Sequence, residues 1–380
     1  MAGLKVAVLA NLKKNAPILP GMTEDYWDDL DSEKTVNALQ EAIRAGGHEA
    51  VFFEGDSALQ GRLLDHRPDI CFNICEGHFG DGREAQVPAL LEMLRIPYTG
   101  SRVLSLALAL DKPMTKRVLN WHTLPTPAFQ TFERADEPLD DDMIFPLFVK
   151  PAREGTGMGV TAQSIVNNVA ELRDRVAYTI GKYRQTALVE RYISGREVTV
   201  GLVGNFSGPA SRRLPNRYYF GERTRDYSEA GLAAIRAGGI TFLPPLEVNL
   251  EPYRESEAVY TNTLKTDLAD KVELLCPAPL RSEQVQELNW LTAAVFRVLG
   301  CYDVSRIDFR LDSSDNDRPY ILEINPLPGL APGLSDLVLE AAAAGIGYTE
   351  LINMILQAAI DRHNIRPGVF TSFAGGPAPA

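Results

Sequence analysis

The stretch RIDFRLDSSDNDRPYILEINPLPG, residues 306–329, decides the fold. Apolar and polar residues alternate on both sides of a polar segment, which predicts an antiparallel β-hairpin with its turn centred on Asp315 and Asn316. Directly opposed residues in such a hairpin have numbers with a constant sum, so Asp308 should lie opposite Glu323. The hairpin therefore sets two carboxylates face to face on strands whose other residues are largely apolar.

Opposed residues share a face of the sheet, and the same register places Arg306 opposite Asn325. The other face is apolar and is predicted to be core: Ile307, Phe309, Leu311, Leu322 and Ile324. Like charges directly across a ladder are destabilising, so a positive group should lie between Asp308 and Glu323. Arg306 and Arg310 offer one explanation, which is a surface salt-bridge network.

A metal ion is the explanation that the third polar residue of this face favours. Two carboxylates and the amide oxygen of Asn325 form a hard oxygen-ligand set, and Mg²⁺ in such a set keeps positions open for water and substrate phosphates. The sequence thus predicts a magnesium site that holds the phosphates of a nucleotide.

Composition limits the classes of protein to which the chain can belong. Its 380 residues are 45% hydrophobic and 23% charged, which is ordinary for two or three packed globular domains. The formal net charge of -12 argues against a general nucleic-acid binder, because phosphate contacts need a basic face. Without a long apolar segment, a signal peptide or a CxxC pair among its four cysteines, we expect a cytoplasmic protein with no membrane span.

Strands and helices alternate in the first hundred residues, which predicts a parallel α/β domain over residues 1–101. No GxGxxG motif follows the first strand, so a dinucleotide site is not expected. A helical run then opens a central domain, residues 102–188, and a third domain should cover residues 189–366. The last residues, 367–380, are predicted to be a disordered tail.

A glycine-rich loop forms the second candidate site. In VKPAREGTGMGV, Lys150 ends a predicted strand, and glycines at 155, 157 and 159 alternate through the loop before a further predicted strand. Glycines at this spacing let backbone N–H groups approach phosphate oxygens, Thr156 adds a hydroxyl, and Lys150 adds a charge. A plain hairpin turn is the alternative, since such loops are common.

The segment LVERYISGREVTVG is the third candidate site, with Glu190 and Glu197 framing the end of an apolar strand. The strand edge could accept the amino group of adenine while a glutamate binds the ribose hydroxyls. Taken alone, the pattern is equally typical of solvated surface glutamates.

These segments occur in an order that resembles the ATP-grasp superfamily, and within it the D-alanine–D-alanine ligases. The motifs that carry the resemblance span nearly the whole chain: IPYTGS, ALDKPMTKRVL, FVKPAREGTGMGV, LVERYISGREVTVGLVGN, CPAPL, RIDFRLD and LEINPLPGL. The resemblance implies an ATP-grasp α/β fold of three domains with ATP clasped between the second and third. It also implies an ADP-forming carboxylate–amine ligase that acts through an acyl phosphate, and a homodimer.

The resemblance assigns roles to individual residues. It implies that phosphates contact Lys112, Lys150 and the terminal-phosphate lysine Lys265, and that the loop residues Glu154, Gly155, Thr156 and Gly157 join the nucleotide site. It implies that Glu190 lies at the adenine edge and Glu197 at the ribose. Asp308, Glu323 and Asn325 match the ligands of two magnesium ions, and Arg306 and the Gly329 N–H match the oxyanion stabilisers.

The amino-acid half of the site departs from the family. The glycine pair followed by Ser, Glu and His that holds the first D-alanine is absent, and Glu76 in CEG takes the place of a histidine. The serine that holds the second substrate's carboxylate aligns with Leu334, with Ser335 adjacent. We therefore expect amino-acid or small-peptide substrates other than D-alanine, with Glu76 and Ser335 as candidate contacts.

An insertion over residues 206–263 packs five arginines and three tyrosines into SRRLPNRYYFGERTRDYSEAG. It is either a solvated insertion or a lid that meets an acidic substrate, because arginine binds carboxylates with two hydrogen bonds. The alternatives for function are a true D-alanine–D-alanine ligase and a ligase that acts on a protein- or carrier-bound acyl group. A catalytically inactive nucleotide-binding module is disfavoured because the polar ATP-site positions are present.

Overall fold

The computed structural model describes residues 3–18, 20–23, 25–206, 227–250 and 272–365. Three sheets organise these residues. Their strands are β1 Lys5–Ala10, β2 Glu49–Glu54, β3 Ile70–Ile74, β4 Phe129–Phe132, β5 Leu147–Pro151, β6 Ile165–Val166, β7 Ala187–Arg191, β8 Gly195–Gly204, β9 Ile240–Phe242, β10 Leu246–Asn249, β11 Glu273–Leu275, β12 Val304–Asp312 and β13 Arg318–Asn325.

Ten α-helices accompany the strands in these ranges. They are α1 Glu33–Ala45, α2 Leu59–His66, α3 Gln86–Leu94, α4 Val103–Leu110, α5 Lys112–Trp121, α6 Val169–Tyr183, α7 Glu229–Ala237, α8 Ser282–Val298, α9 Asp336–Ala343 and α10 Tyr348–His363. Short 3-10 turns occupy Lys13–Asn15, Arg83–Ala85 and Ala162–Ser164. None of the helices in the described part of the chain combines the length and apolar character that a membrane span requires.

The N-terminal sheet is parallel, in the order β2–β1–β3, as the alternation of strands and helices predicts. Strand β1 is buried on both faces after Lys5, which explains its continuous apolar sequence. The segment IPYTG, predicted to be a short strand, contributes one parallel bridge between Tyr98 and Cys71. The tail over 367–380 lies outside the described residues.

The central sheet is antiparallel, in the order β4–β7–β5–β6, and is covered by α6. Its core contains Phe132, Leu147, Val149, Leu172 and Val176. A strand directly after the glycine loop was expected from the sequence, but a 3-10 turn follows the loop and only the two residues of β6 then pair with β5. The glycine loop is therefore part of a long connection between two neighbouring antiparallel strands and not a tight hairpin turn.

The largest sheet has six strands in the order β11–β10–β8–β12–β13, with β9 also paired to β8. Asp308 lies opposite Glu323 and Arg306 opposite Asn325, so the predicted register is confirmed at the polar residues. A bulge follows Asp308, because Phe309 pairs with Ile321. The prediction that Leu322 faces the core was therefore wrong, since the bulge leaves it part-exposed and Ile321 is buried instead.

The C-terminal helix completes the core of the N-terminal sheet. Leu351, Ile352 and Ile355 are buried in one cluster with residues of β1 and α1. The Asn353 amide donates to the Ala42 carbonyl at 2.9 Å, which ties α10 to the end of α1. The two ends of the described chain are thus packed together.

Candidate active site

The polar face of the β12–β13 hairpin carries a connected set of side chains. The Arg306 guanidinium donates to both carboxylate oxygens of Asp308, at 2.8 and 2.9 Å. The Asn325 amide donates to Asp308 Oδ2 at 3.0 Å. Lys112 Nζ, from the first turn of α5, lies 3.3 Å from Glu323 Oε2. Each of the two opposed carboxylates therefore has its own cation, which relieves the repulsion expected between them.

Arg306 is largely buried and lies between acidic groups. Burial lowers its pKa, but the carboxylates of Asp308 and Asp336 outweigh this and raise the pKa well above its usual range. Arg306 NH1 is 3.3 Å from Asp336 Oδ2, at the start of α9. The guanidinium is thus a permanent positive charge fixed between two strands and a helix.

A buried ion triad lies next to this face. The Glu190 carboxylate on β7 pairs with Lys116 of α5 and, at 2.7 Å, with Lys150 of β5. Burial raises the pKa of Glu190, yet the two ammonium groups outweigh it and hold that pKa at about 2. Glu190, which was predicted to lie at the adenine edge, therefore holds Lys150, which was predicted to bind phosphate.

Lys116 is a site residue that the sequence analysis missed. It is only 1% exposed and follows Lys112 by four residues on the same helix, so the two side chains lie on one face. That spacing in LDKPMTK was the available signal. Asp111 fixes the start of the helix by accepting from the Met114 N–H at 2.9 Å.

The glycine loop folds as two successive turns. The Met158 N–H donates to the Gly155 carbonyl at 2.9 Å, and the Val160 N–H donates to the Gly157 carbonyl at 3.0 Å. Thr156 and Gly157 have φ values of 51° and 72°, and Gly159 has 74°. The left-handed region favours glycine, which explains the glycines at 157 and 159, whereas Thr156 adopts this region without being glycine.

Two cavities meet at the loop and the hairpin. The first is a cleft between the central and the six-stranded sheets, with apolar walls that include Phe148, Met158 and Leu322. Glu197 lies in this cleft, 3.3 Å from an Arg310 nitrogen. The predicted nucleotide residues that line it are Lys112, Lys150, Glu154, Gly157, Glu190 and Glu197, together with Asp308 and Glu323.

The second cavity has a volume of about 510 Å³ and lies between the N-terminal domain and the segment after β13. Lys112, Glu154 and Glu323 line both cavities. The predicted site residues that line this second cavity are Glu76, Gly155, Thr156, Arg306, Asn325, Gly329 and Ser335. Apart from Lys265, which lies outside the described residues, all predicted site residues border one or both cavities.

Several of these side chains have structural contacts of their own. The Ser335 hydroxyl accepts from the Ala331 N–H at 2.9 Å and packs beside Gly329. Glu154 accepts from the Gln185 amide at 2.6 Å and lies 3.4 Å from Arg83. Arg83, which the sequence analysis also missed, donates to Asp29 at 3.0 Å within the N-terminal domain. Its contact with Glu154 links that domain to the glycine loop.

The predicted magnesium set is compatible with its surroundings. Asp308, Glu323 and Asn325 converge on one face, and their oxygens are hard donors. Within the described ranges, no group of three or more His, Cys, Asp or Glu side chains is arranged to hold a metal. A cation here would therefore depend on the Asn325 amide and on oxygens brought by a ligand.

Comparison with known proteins identifies the family to which the chain belongs. A family model described as the D-Ala–D-Ala ligase C-terminus matches residues 118–219 and 222–357, more than half of the chain. A D-alanine–D-alanine ligase of Methylibium petroleiphilum is 35% identical over 296 residues, covering 76% of this chain and 78% of that protein. The protein y4sG of Sinorhizobium fredii is 35% identical over 341 residues, covering 87% and 88%.

Solved structures show the same fold. A crystal structure of D-alanine–D-alanine ligase from Bacillus anthracis complexed with ATP matches with a TM-score of 0.64 and 21% identity, covering 95% of this chain and 99% of that one. The predicted fold class and the predicted ligase class are confirmed by these matches. The chain belongs to the D-alanine–D-alanine ligase family of the ATP-grasp superfamily.

Proposed function

We propose that this ligase uses ATP and Mg²⁺ to join the carboxylate of one amino acid to an amine, and that its substrate is not D-alanine. The single observation that carries the proposal is the meeting of the two cavities at Lys112, Glu154 and Glu323. A nucleotide in the first cleft would present its terminal phosphate at this junction to a carboxylate held in the second cavity. Both reactants would thus lie next to the same charged side chains, close enough to react.

The reaction proceeds in two steps. The carboxylate oxygen of the first substrate attacks the γ-phosphorus of ATP, the bond to ADP breaks, and an acyl phosphate forms. The amine nitrogen of the second substrate then attacks the acyl carbon, a tetrahedral intermediate forms, and the carbon–oxygen bond to phosphate breaks as the nitrogen loses a proton. No nucleophile from the protein is needed.

The protein contributes fixed positive charge and position. Lys150, held by Glu190, and Lys112 bind phosphate oxygens, while Arg306 and the Gly329 N–H stabilise the oxyanion of the tetrahedral intermediate. Asp308, Glu323 and Asn325 would hold Mg²⁺, which when bound neutralises negative charge on the phosphates. Lys265 is proposed to reach the terminal phosphate.

A true D-alanine–D-alanine ligase is the second candidate, because the Methylibium petroleiphilum relative carries that name. It is disfavoured because Glu76 and Leu334 replace the family's histidine and serine at the substrate positions. A buried polar contact can discriminate by a factor of about 10⁴ when its partner is missing. D-alanine should therefore be a poor substrate.

The test is an ADP-release screen over pairs of free amino acids, with mass spectrometry of the products. We expect ADP and a dipeptide or amide from at least one pair, and a kcat/KM for D-alanine about 100-fold or more below that of the best substrate. Efficient synthesis of D-alanyl-D-alanine would favour the second candidate. ADP release only with a carrier-bound acyl group would favour a carrier-dependent ligase.

A further inference from the structure

The second cavity is strongly acidic in the part of the chain that the structure describes. The only basic side chains that line it there are Lys112 and Arg306. The acidic side chains that line it are Asp28, Asp29, Asp31, Glu76, Glu84, Glu154, Glu323 and Asp336. A site whose ligand carries one ammonium and one carboxylate does not need this excess of acidic over basic side chains.

The acids near the hairpin already have cationic or amide partners. Glu323 pairs with Lys112, Asp336 pairs with Arg306, and Glu154 accepts from the Gln185 amide. On the N-terminal wall of the cavity, Asp28 pairs with Lys13 and Asp29 with Arg83. Glu76 and Glu84 differ from these, because neither has an ion pair within the described ranges.

Glu84 is the clearest case. It is only 9% exposed, it lines the cavity, and its carboxylate has no hydrogen-bond or ion-pair partner among the described residues. Glu76, which is half-buried, likewise has none in those ranges. Asp29 uses Oδ2 for Arg83, whereas its buried Oδ1 has no partner among the residues that are described. Glu76, Glu84 and one oxygen of Asp29 thus lack a direct partner, and Arg83 is the nearby cation that acts on all three carboxylates.

Burying such groups has an energetic cost that a ligand can offset. Burial raises the pKa of Glu84 to about 7, and burial together with Glu84 and Asp29 raises the pKa of Glu76 well above its ordinary value. A carboxylate in this setting either keeps a proton or binds a cation. A cationic ligand would allow the wall to ionise and would gain charge-assisted hydrogen bonds.

We propose that this cavity binds an amino acid whose side chain carries a second cation, an ammonium or guanidinium group, held by Glu76, Glu84 and Asp29. The inference deepens the proposed function and rests on it. One α-ammonium can pair with one carboxylate, and a second cation compensates the remaining charge of the wall. The carboxylate of the same ligand would lie toward Lys112 and Arg306, at the opposite end of the charge gradient.

Matched substrates test this directly. We expect lysine, ornithine and arginine, each as both enantiomers, to support ADP release with kcat/KM at least about 100-fold above norleucine and citrulline, which match them in length without the charge. Equal rates for the neutral analogues, or a preference for glutamate, would overturn the proposal.

Variants locate the cation. Glu76→Gln and Glu84→Gln should each raise the KM for the cationic substrate at least about tenfold, a larger increase than for norleucine. Glu33→Gln is the control, because Glu33 is an exposed carboxylate on α1 that does not line the cavity. An unchanged KM in both cavity variants would show that these carboxylates do not contact the substrate.

A binding measurement separates this inference from the ligase proposal. Calorimetry with lysine and norleucine, in the presence of a non-hydrolysable ATP analogue, should show at least about tenfold tighter binding of lysine, lost in Glu84→Gln or, if that variant does not fold, in Glu76→Gln. Selective lysine binding without ADP release from any pair would retain the cation site and reject the ligase activity. ADP release together with equal binding of lysine and norleucine would support the ligase activity and reject the cation site.

Discussion

Arg306 occupies both oxygens of Asp308, the residue proposed to bind magnesium. A carboxylate has about four lone pairs, and Thr199 and the Asn325 amide donate to the two that Arg306 leaves. Turning the Asn325 amide so that its oxygen faces the ion would free one lone pair of Asp308 for a metal. Metal binding should therefore break the hydrogen bond from Asn325 to Asp308 while the Arg306–Asp308 pair persists.

The first prediction concerns the two opposed carboxylates. Asp308→Asn and Glu323→Gln should each reduce ATP turnover by about 100-fold or more, because each removes one charged ligand of the proposed metal. The hairpin should persist, since both changes conserve size, and circular dichroism should be unchanged. ADP release at the wild-type rate in either variant would exclude the metal assignment. Glu273→Gln, an exposed position on β11, is the control.

The second prediction concerns pH. Burial raises the pKa of Asp31 from 3.8 to about 7, despite a hydrogen bond from Thr35 that lowers it. The folded state thus holds a proton that the unfolded state releases near pH 4, so this contribution to stability is present below pH 4 and is lost as pH rises toward 7. The Asp31→Asn variant cannot lose this proton. Between pH 5 and pH 8 its free energy of unfolding should therefore fall by about 1–3 kcal/mol less than that of the wild type.

Denaturant unfolding of the ligand-free protein at the two pH values measures this effect. Glu33→Gln serves as the control, because its carboxylate is exposed on the neighbouring turn. A wild-type protein and an Asp31→Asn variant with the same pH dependence would contradict the assignment of Asp31 as the titrating group.

Among single residues, the sequence identified those whose partners are close in sequence or set by strand register. Asp308, Glu323 and Asn325 were predicted because a hairpin relates their numbers directly. Lys116 and Arg83 were not predicted, since their partners Glu190 and Asp29 are 74 and 54 residues away and belong to other elements. Their chemistry depends on how the sheets pack, which periodicity does not encode.

At the level of elements, the hairpin shows where register arguments stop working. The constant-sum rule holds from Arg306 to Asp308 and fails by one residue at Phe309. The bulge turns Leu322 out of the core and into the first cleft, where it adds an apolar wall beside Phe148. No residue in LEIN marks this bulge, because both leucine and isoleucine suit either face of a strand.

The third prediction concerns the glycine loop. Gly157→Val should raise the KM for ATP or lower kcat by about tenfold or more, because valine resists the φ of 72° and blocks the approach of backbone N–H groups to phosphate. Steady-state kinetics with varied ATP measure it. Gly181→Ala, in the open on helix α6, is the control and should leave kcat/KM unchanged. An unchanged kcat/KM in Gly157→Val would show that the glycine loop only connects two strands and does not contact ATP.

For the molecule as a whole, the N-terminal sheet and the C-terminal helix form one core. The sequence predicted the two regions as separate domains, since a parallel α/β pattern in the first hundred residues does not reveal which helix will cover it. The arginine-rich insertion over 206–263 lies partly outside the described residues, including positions 212–225, and the acidic substrate inferred from it stays a prediction. The described cavity walls favour a ligand of the opposite charge.

The fourth prediction tests this shared core. Ile355→Ala should lower the free energy of unfolding by about 2–5 kcal/mol, because Ile355 is 1% exposed and its loss leaves a cavity between α10 and the N-terminal sheet. It should also raise the KM for the amino-acid substrate more than the KM for ATP, since the shared core positions the N-terminal wall. Gln357→Ala, an exposed change on the same helix, should do neither.

The bond from Asn353 to the Ala42 carbonyl joins residues 311 positions apart. A ribosome that adds about 5–20 residues each second makes the second partner roughly 15–60 s after the first. During that interval the growing chain carries an N-terminal sheet whose apolar surface under α10 has no cover. Synthesis of this enzyme therefore leaves the N-terminal sheet open to chaperones and to aggregation until α10 has been made.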